Sequence, residues 1–144
     1  MKTIDPETIE AIYKAVENEP LARTFKMRLL ELGYGYSKVE MPYDPESMAN
    51  LYARAHGGAI FSLIDEAFET ASQTAGCIAV ALNVNVTYVN SPASKTMLWA
   101  KACQISSSRK IASYDIKVKD SDRQLVATCQ AIAYLTGRPL PFKH

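Results

Sequence analysis

The sequence predicts an α+β domain, one long and mostly apolar helix set against a strongly antiparallel sheet of about five strands. Three observations carry this. From Gly57 onward, Ile60, Leu63, Ile64, Ala67, Phe68 and Ala71 recur at helical spacing over three turns. After Gly76 the period drops from about 3.6 to about 2: Val80, Leu82, Val84, Val86 and Tyr88 alternate with Ala81, Asn83, Asn85 and Thr87. Further strand-like runs then follow with short links, which implies antiparallel neighbours.

Composition fits this class. Of 144 residues, 48% are hydrophobic and 22% charged, which excludes both a disordered polyelectrolyte and a membrane-embedded chain. A fold of this size buries roughly 68–70% of its unfolded surface, enough for one autonomous core over residues 1–144 without disulfides or a structural metal.

Taken in order, Asp5-Pro6-Glu7 supplies an N-cap, a proline for the first helical position and an early acid, so a leading helix is expected within residues 1–20, ending near Pro20. Phe25 to Leu32 and Tyr36 to Met41 flank Gly33 and Gly35 as a hairpin. Tyr43 to Tyr52 reads as a loop punctuated by Pro45. In the helix from Gly57, Ala59, Phe61 and Ala75 add apolar surface outside the stripe, so it is expected to be covered on most sides and to end at Gly76. The strand after it has one dry face. Met97 to Ile105, Ile111 to Val118 and Leu125 to Leu135 are the remaining strands, and Ala127, Cys129, Ala131 and Ala133 line one face with small side chains that let a helix lie close. The tail 137–144 is expected to be loose.

The 16 basic and 15 acidic residues give +1, without the concentrated positive surface of a general nucleic-acid binder. The charge is uneven along the chain: residues 1–72 hold 7 basic and 12 acidic groups (−5), residues 73–144 hold 9 and 3 (+6). Either a patch for an anionic ligand results, or the halves interleave and the asymmetry averages out. Cys77, Cys103 and Cys129 are far apart, form no CxxC pair and have only His56 and His144 to complete a zinc site, so free thiols packed as small core residues and no metal are expected. The start MKTIDPETIE is too acidic for a signal peptide and no apolar run reaches the ~20 residues of a spanning helix, so a cytoplasmic protein without membrane partners is expected.

Two features could carry chemistry. His56-Gly57-Gly58 places backbone N–H groups without shielding side chains at the positive end of the helix, where a developing oxyanion would be stabilised; the glycines equally fit a tight turn into the helix. Asp65 lies near the edge of the apolar stripe, bordered by Phe61 and Phe68. It is a functional carboxylate, a paired one, or a solvated acid in a run with Glu66 and Glu69. Other schemes lack their parts: there is no G-x-S-x-G, P-loop, G-x-G-x-x-G or H-E-x-x-H motif. The SSSRK turn at 106–110 could meet phosphates or be a solvated hairpin tip.

Asn50, His56-Gly57-Gly58, Phe61, Asp65, Ala67-Phe68 and the strand Asn85-Val86-Thr87-Tyr88 before Pro92 resemble the hotdog-fold acyl-CoA thioesterases of the phenylacetate-degradation (PaaI-like) group, over about residues 20 to 135. The resemblance implies a five-stranded sheet wrapped around one long helix, and dimers that often pair into homotetramers. It also implies hydrolysis of acyl-CoA to a carboxylic acid and coenzyme A, with no cofactor beyond the coenzyme A of the substrate. Gly58 would donate its N–H to the thioester carbonyl, Gly57 would shape the approach, and His56 and Asn50 would order the loop or the attacking water. Asp65 of the other subunit would act as nucleophile or general base, and Arg109 and Lys110 would lie near the coenzyme A phosphates. The chain departs from the pattern at Ala53, where some members have glycine, and at Ala81, where some have a hydroxyl that holds water. Asn83 is then the nearest polar side chain expected on the same face. A non-catalytic hotdog module that binds acyl-CoA is the alternative.

Overall fold

The computed structural model describes residues 1–143. Two short helices, α1 (Pro6–Glu17) and α2 (Pro20–Thr24), lead into the hairpin β1 (Arg28–Gly33) and β2 (Tyr36–Tyr43). A single turn, α3 (Pro45–Met48), precedes the central helix α4 (Gly57–Gln73). Strands β3 (Cys77–Tyr88), β4 (Thr96–Ser107), β5 (Ile111–Lys119) and β6 (Leu125–Pro139) complete the chain. All pairings are antiparallel, in the order β1-β2-β4-β5-β6-β3. The sheet thus has six strands rather than about five. β1 falls in the first arm of the expected hairpin and is a short edge strand that pairs only with β2.

The leading helix forms as its caps dictate: Asp5 accepts from the Thr8 N–H at 3.0 Å and Pro6 takes the first helical position. Pro20 does more than stop it, since its missing N–H and fixed φ also suit the first position of α2. In α4, eleven of the 17 residues are buried, which makes it a central helix, while Phe61 stays 36% exposed. Leu63, Ile64 and Phe68 pack in one core with Val39, Met41, Leu98, Tyr114 and Ile116 from the sheet. Phe68 meets Tyr114 edge to face, with ring centroids 5.4 Å apart. At its far end the Gln73 amide clasps the Ala79 backbone, donating to the carbonyl at 3.0 Å and accepting from the N–H at 3.1 Å. Gly76, at φ 83°, makes the reversal between them.

Three expectations change on folding. The period-2 pattern of β3 does not define one face, because a bulge at Leu82 shifts the register between Ala81 and Asn83. Ala81 pairs with Ala133 on the helix side, whereas Asn83 pairs with Ile132 on the outer side. Asn83 is therefore not on the same face as Ala81, and Val80 does not share a face with Val84 and Val86. As an edge strand, β3 also leaves Val80, Leu82 and Tyr88 exposed by 44%, 58% and 50%. The segment after Leu135 is held as well: β6 continues to Pro139, Leu140 is buried and Lys143 bridges to Asp5 at 3.1 Å. Position 144 lies outside the described residues. Cys129 is buried, but Cys103 is exposed on the outer face rather than packed in the core, and all three thiols are free.

Close approach of α4 depends on small residues beneath it: on β4, Ala100 and Ala102 have no exposed surface. Ala100→Leu is expected to destabilise the fold by roughly 1–3 kcal/mol through overpacking, read as a lower denaturant midpoint at unchanged m-value.

Candidate active site

The site begins with the loop that delivers α4. The Asn50 side chain accepts from the Tyr52 N–H at 2.8 Å and the Arg54 N–H at 3.2 Å, curling residues 50–54 into a closed turn. Ala53 within it takes φ 58°, a left-handed conformation that costs a side-chain-bearing residue roughly 1–2 kcal/mol. Glycine, which the resemblance implies for some members at this position, would adopt that conformation without the cost. Further along, Met48, Ser91 and Pro92 bind the backbone of residues 55 and 56, through His56 N–H to Met48 at 2.7 Å, Ser91 Oγ to Ala55 at 2.8 Å and Ala55 N–H to Pro92 at 2.8 Å.

At the helix entrance, His56 is the N-cap, and its Nδ1 accepts from the Gly58 N–H at 2.9 Å. The donor expected to meet a substrate is therefore engaged in the free chain. The Gly57 N–H has no acceptor among the described residues. Both glycines ease close contacts: a Cβ on Gly57 would lie 3.1 Å from the Tyr88 ring, and one on Gly58 would lie 3.1 Å from His56 Nδ1. The Tyr88 hydroxyl donates to the Gly57 carbonyl at 3.0 Å. Asn50, Gly57, Ile60, Tyr88 and Ser91 line a cleft of about 320 Å³.

Asp65 does not reach that cleft. It lies eight residues beyond Gly57, about 12 Å along the axis at ~1.5 Å per residue. It is half-buried, and burial first, then the Glu19 carboxylate, raises its pKa above the ordinary value. Beside it, Glu66 is only 2% exposed and one of its carboxylate oxygens has no hydrogen-bond partner. It is therefore not part of a solvated run. Burial and the carboxylate of Glu19 push Glu66 far above the usual range, so it holds its proton at neutral pH. Glu19, Glu66 and Glu69 bring one oxygen each within 4.8 Å, the one grouping among the described residues whose side chains could converge on a cation. The signal for this in the sequence is the coverage of α4 on most sides, which leaves little room for a solvated face.

The structure unites Asn50, His56, Gly57 and Gly58, and leaves the other expected site residues apart within one chain. Asn83 is exposed on the outer face. Arg109 and Lys110 sit at the β4–β5 turn, which β6 registers next to Tyr134. The cleft lies near Ala127, seven residues and about 24 Å away at ~3.4 Å per residue.

A fold built from one covered helix on an antiparallel sheet, entered through His56-Gly57-Gly58, is that of a hotdog thioesterase. A thioesterase superfamily model matches residues 52–127, and the chain belongs to that family. A relative from Archaeoglobus fulgidus that carries an esterase name is 35% identical over 125 residues, covering 87% of this chain and 80% of its own. The acyl-coenzyme A thioesterase PaaI of Escherichia coli is 26% identical over 121 residues, 84% of this chain and 86% of that one. Its structure superimposes with a TM-score of 0.87 over 92% of this chain and 96% of that chain. A Streptococcus mutans protein solved with acetyl CoA bound is 25% identical with a TM-score of 0.74, over 79% of this chain and 91% of that one.

Ala53→Gly is expected to raise the melting temperature, by an amount equivalent to about 0.5–1 kcal/mol, because relief of the left-handed strain exceeds glycine's entropic cost. Glu66 has a folded pKa above its unfolded value, so the stability it allows is complete below about pH 4.5 and declines as pH rises through the folded pKa. Glu66→Gln should flatten the melting-temperature profile between neutral and alkaline pH, leaving the variant the more stable of the two at high pH.

Proposed function

We propose that this protein hydrolyses acyl-CoA thioesters to a carboxylic acid and free coenzyme A, in an active site shared by two copies of the chain. The observation that carries the reading is the entrance to α4. A cleft of about 320 Å³ ends on a helix N-terminus with an open Gly57 N–H, and a half-buried carboxylate stands on the same helix. The thioester carbonyl accepts from Gly57, and from Gly58 once His56 turns away, so that the negative charge formed on its oxygen meets fixed donors and the helix dipole. Asn50 and His56 keep that loop in register.

Asp65 comes from the second copy. Its ionised carboxylate either attacks the carbonyl carbon, releasing thiolate and leaving an anhydride that water opens, or takes a proton from the water that attacks. In both routes the C–S bond breaks, one water is consumed and the thiolate leaves without a strong acid to protonate it. Partial burial makes this carboxylate a stronger base than an exposed aspartate.

The exposed apolar edge of β3 supports a second copy. A long strand with unpaired N–H and C=O groups and Leu82 and Tyr88 open to solvent is a hazard unless another strand covers it. Self-pairing of β3 about a two-fold axis extends the sheet and sets the two α4 helices side by side. The names of the Archaeoglobus and Escherichia coli relatives, and the acetyl CoA bound to the Streptococcus protein, support the substrate class.

Asp65→Asn is expected to lower turnover of a panel of acyl-CoAs by about a hundredfold or more while the melting curve stays that of a folded protein. Release of coenzyme A, followed with a thiol reagent, is the measurement. Near-normal hydrolysis would overturn the role of Asp65. Thermal stabilisation by acyl-CoA with no release from the wild-type protein would instead identify a binding module.

A further inference from the structure

The outer face of the sheet holds a second concentration of chemistry. On β4, Leu98, Ala100 and Ala102 are buried against α4, so Trp99 and Lys101 between them point away from it. Lys101 lies directly opposite Lys38 of β2 on one side and Lys117 of β5 on the other, giving three like charges in one row across three strands. Side chains so placed stand only about 5 Å apart at Cβ and repel one another. In the adjoining row Trp99 faces Lys119, and Arg123 from the β5–β6 turn closes the end.

Local acids neutralise this group only in part. Lys38 reaches Glu31 at 3.7 Å and Lys117 reaches Asp115 at 3.9 Å, while Lys101 in the middle has no salt bridge among the described residues. Five cations and two acids, Asp115 and Asp120, surround a cleft of about 610 Å³, within the ~300–1,000 Å³ that small-molecule sites occupy. Four of the five cations come from the half of the chain that carries +6. With Lys38 the five cations and two acids leave the cleft at +3, and Arg109 and Lys110 lie outside it. The sheet itself separates this cleft from the entrance to α4.

We propose that this cleft binds a nucleotide carrying two or more phosphates, with the phosphates across the lysine row and the base stacked on Trp99. Ammonium groups bind phosphate as point charges, and an anion between them removes the repulsion that the bare row carries. A planar base is the group that uses an indole face beside cations. The site is independent of the thioester chemistry proposed above and survives its failure. Such a nucleotide could be free or could be the nucleotide end of coenzyme A, and the test separates the two.

Trp99 is the only tryptophan of the chain, so its emission reports the cleft alone. ATP, coenzyme A, inorganic pyrophosphate and a short oligothymidylate are each titrated into the full-length protein, its Lys101→Glu variant and its Asp65→Asn variant. We expect saturable quenching by ATP that added salt weakens, that pyrophosphate competes away, that Lys101→Glu weakens about tenfold or more, and that Asp65→Asn leaves unchanged. Saturable quenching by coenzyme A without ATP, with the same loss in Lys101→Glu, assigns the cleft to the nucleotide end of coenzyme A and also supports the proposal. No saturable change with ATP or coenzyme A up to millimolar concentration overturns it. So does quenching that Lys101→Glu leaves intact, or quenching by the oligothymidylate alone. Because Lys101 is exposed, matching melting curves exclude loss of fold as the cause.

Discussion

An α-helix advances about 1.5 Å per residue, and that rise is the constraint on which the rest of this account depends. Gly57 and Asp65 share one rigid helix, so they stand about 12 Å apart along it in every conformation that preserves α4. A thioester group spans only a few bonds. No single copy can place the open N–H and the carboxylate on opposite sides of one carbonyl carbon. If both act on the same bond, they belong to different chains, and the exposed β3 edge is the surface through which those chains would meet.

The fold serves this entrance in a consistent way. Burial of α4 against the sheet fixes its axis, and the Gln73 clasp fixes the far end. At the near end, the Asn50 turn, the Ser91 and Pro92 contacts and the Tyr88 hydroxyl hold the backbone so that residues 57 and 58 approach an aromatic ring and an imidazole at van der Waals distance. A methyl at either position would sit 3.1 Å from that ring or imidazole, tighter than ordinary contact. The same absence of side chains that permits the packing leaves the N–H groups open to a ligand oxygen. His56 covers the Gly58 N–H, and in the proposed reaction it would yield that donor to the substrate.

Much of this was legible in the residues. The stripe from Ile60 to Ala71 defines α4, the switch of period after Gly76 defines the first long strand, and Asn50, His56 and the glycines do converge. Features that depend on three-dimensional neighbours were not. The Leu82 bulge breaks an alternation that looks unbroken in sequence, because one extra residue on an edge strand leaves the hydropathy pattern almost unaltered. Glu66 reads as a solvated acid beside Asp65, yet α1 and α2 bring Glu19 over it and close off solvent. Arg109 and Lys110 are adjacent in sequence and conspicuous. The denser cluster joins Lys38, Lys101 and Lys117 from three strands, and only strand register can reveal it. Ala53 hides a left-handed turn behind a residue that rarely adopts one.

Mixing two inactive variants tests the shared site most directly. Asp65→Asn removes the carboxylate, and Gly57→Ala drives a methyl against the Tyr88 ring at the helix entrance. Each alone should be inactive on acyl-CoA. When the two are co-expressed, a site assembled from two chains predicts recovery of roughly one quarter of wild-type activity, since about half of randomly formed dimers are mixed and each holds one intact site. A mixture as inactive as its components, although mixed dimers are present, would contradict the account.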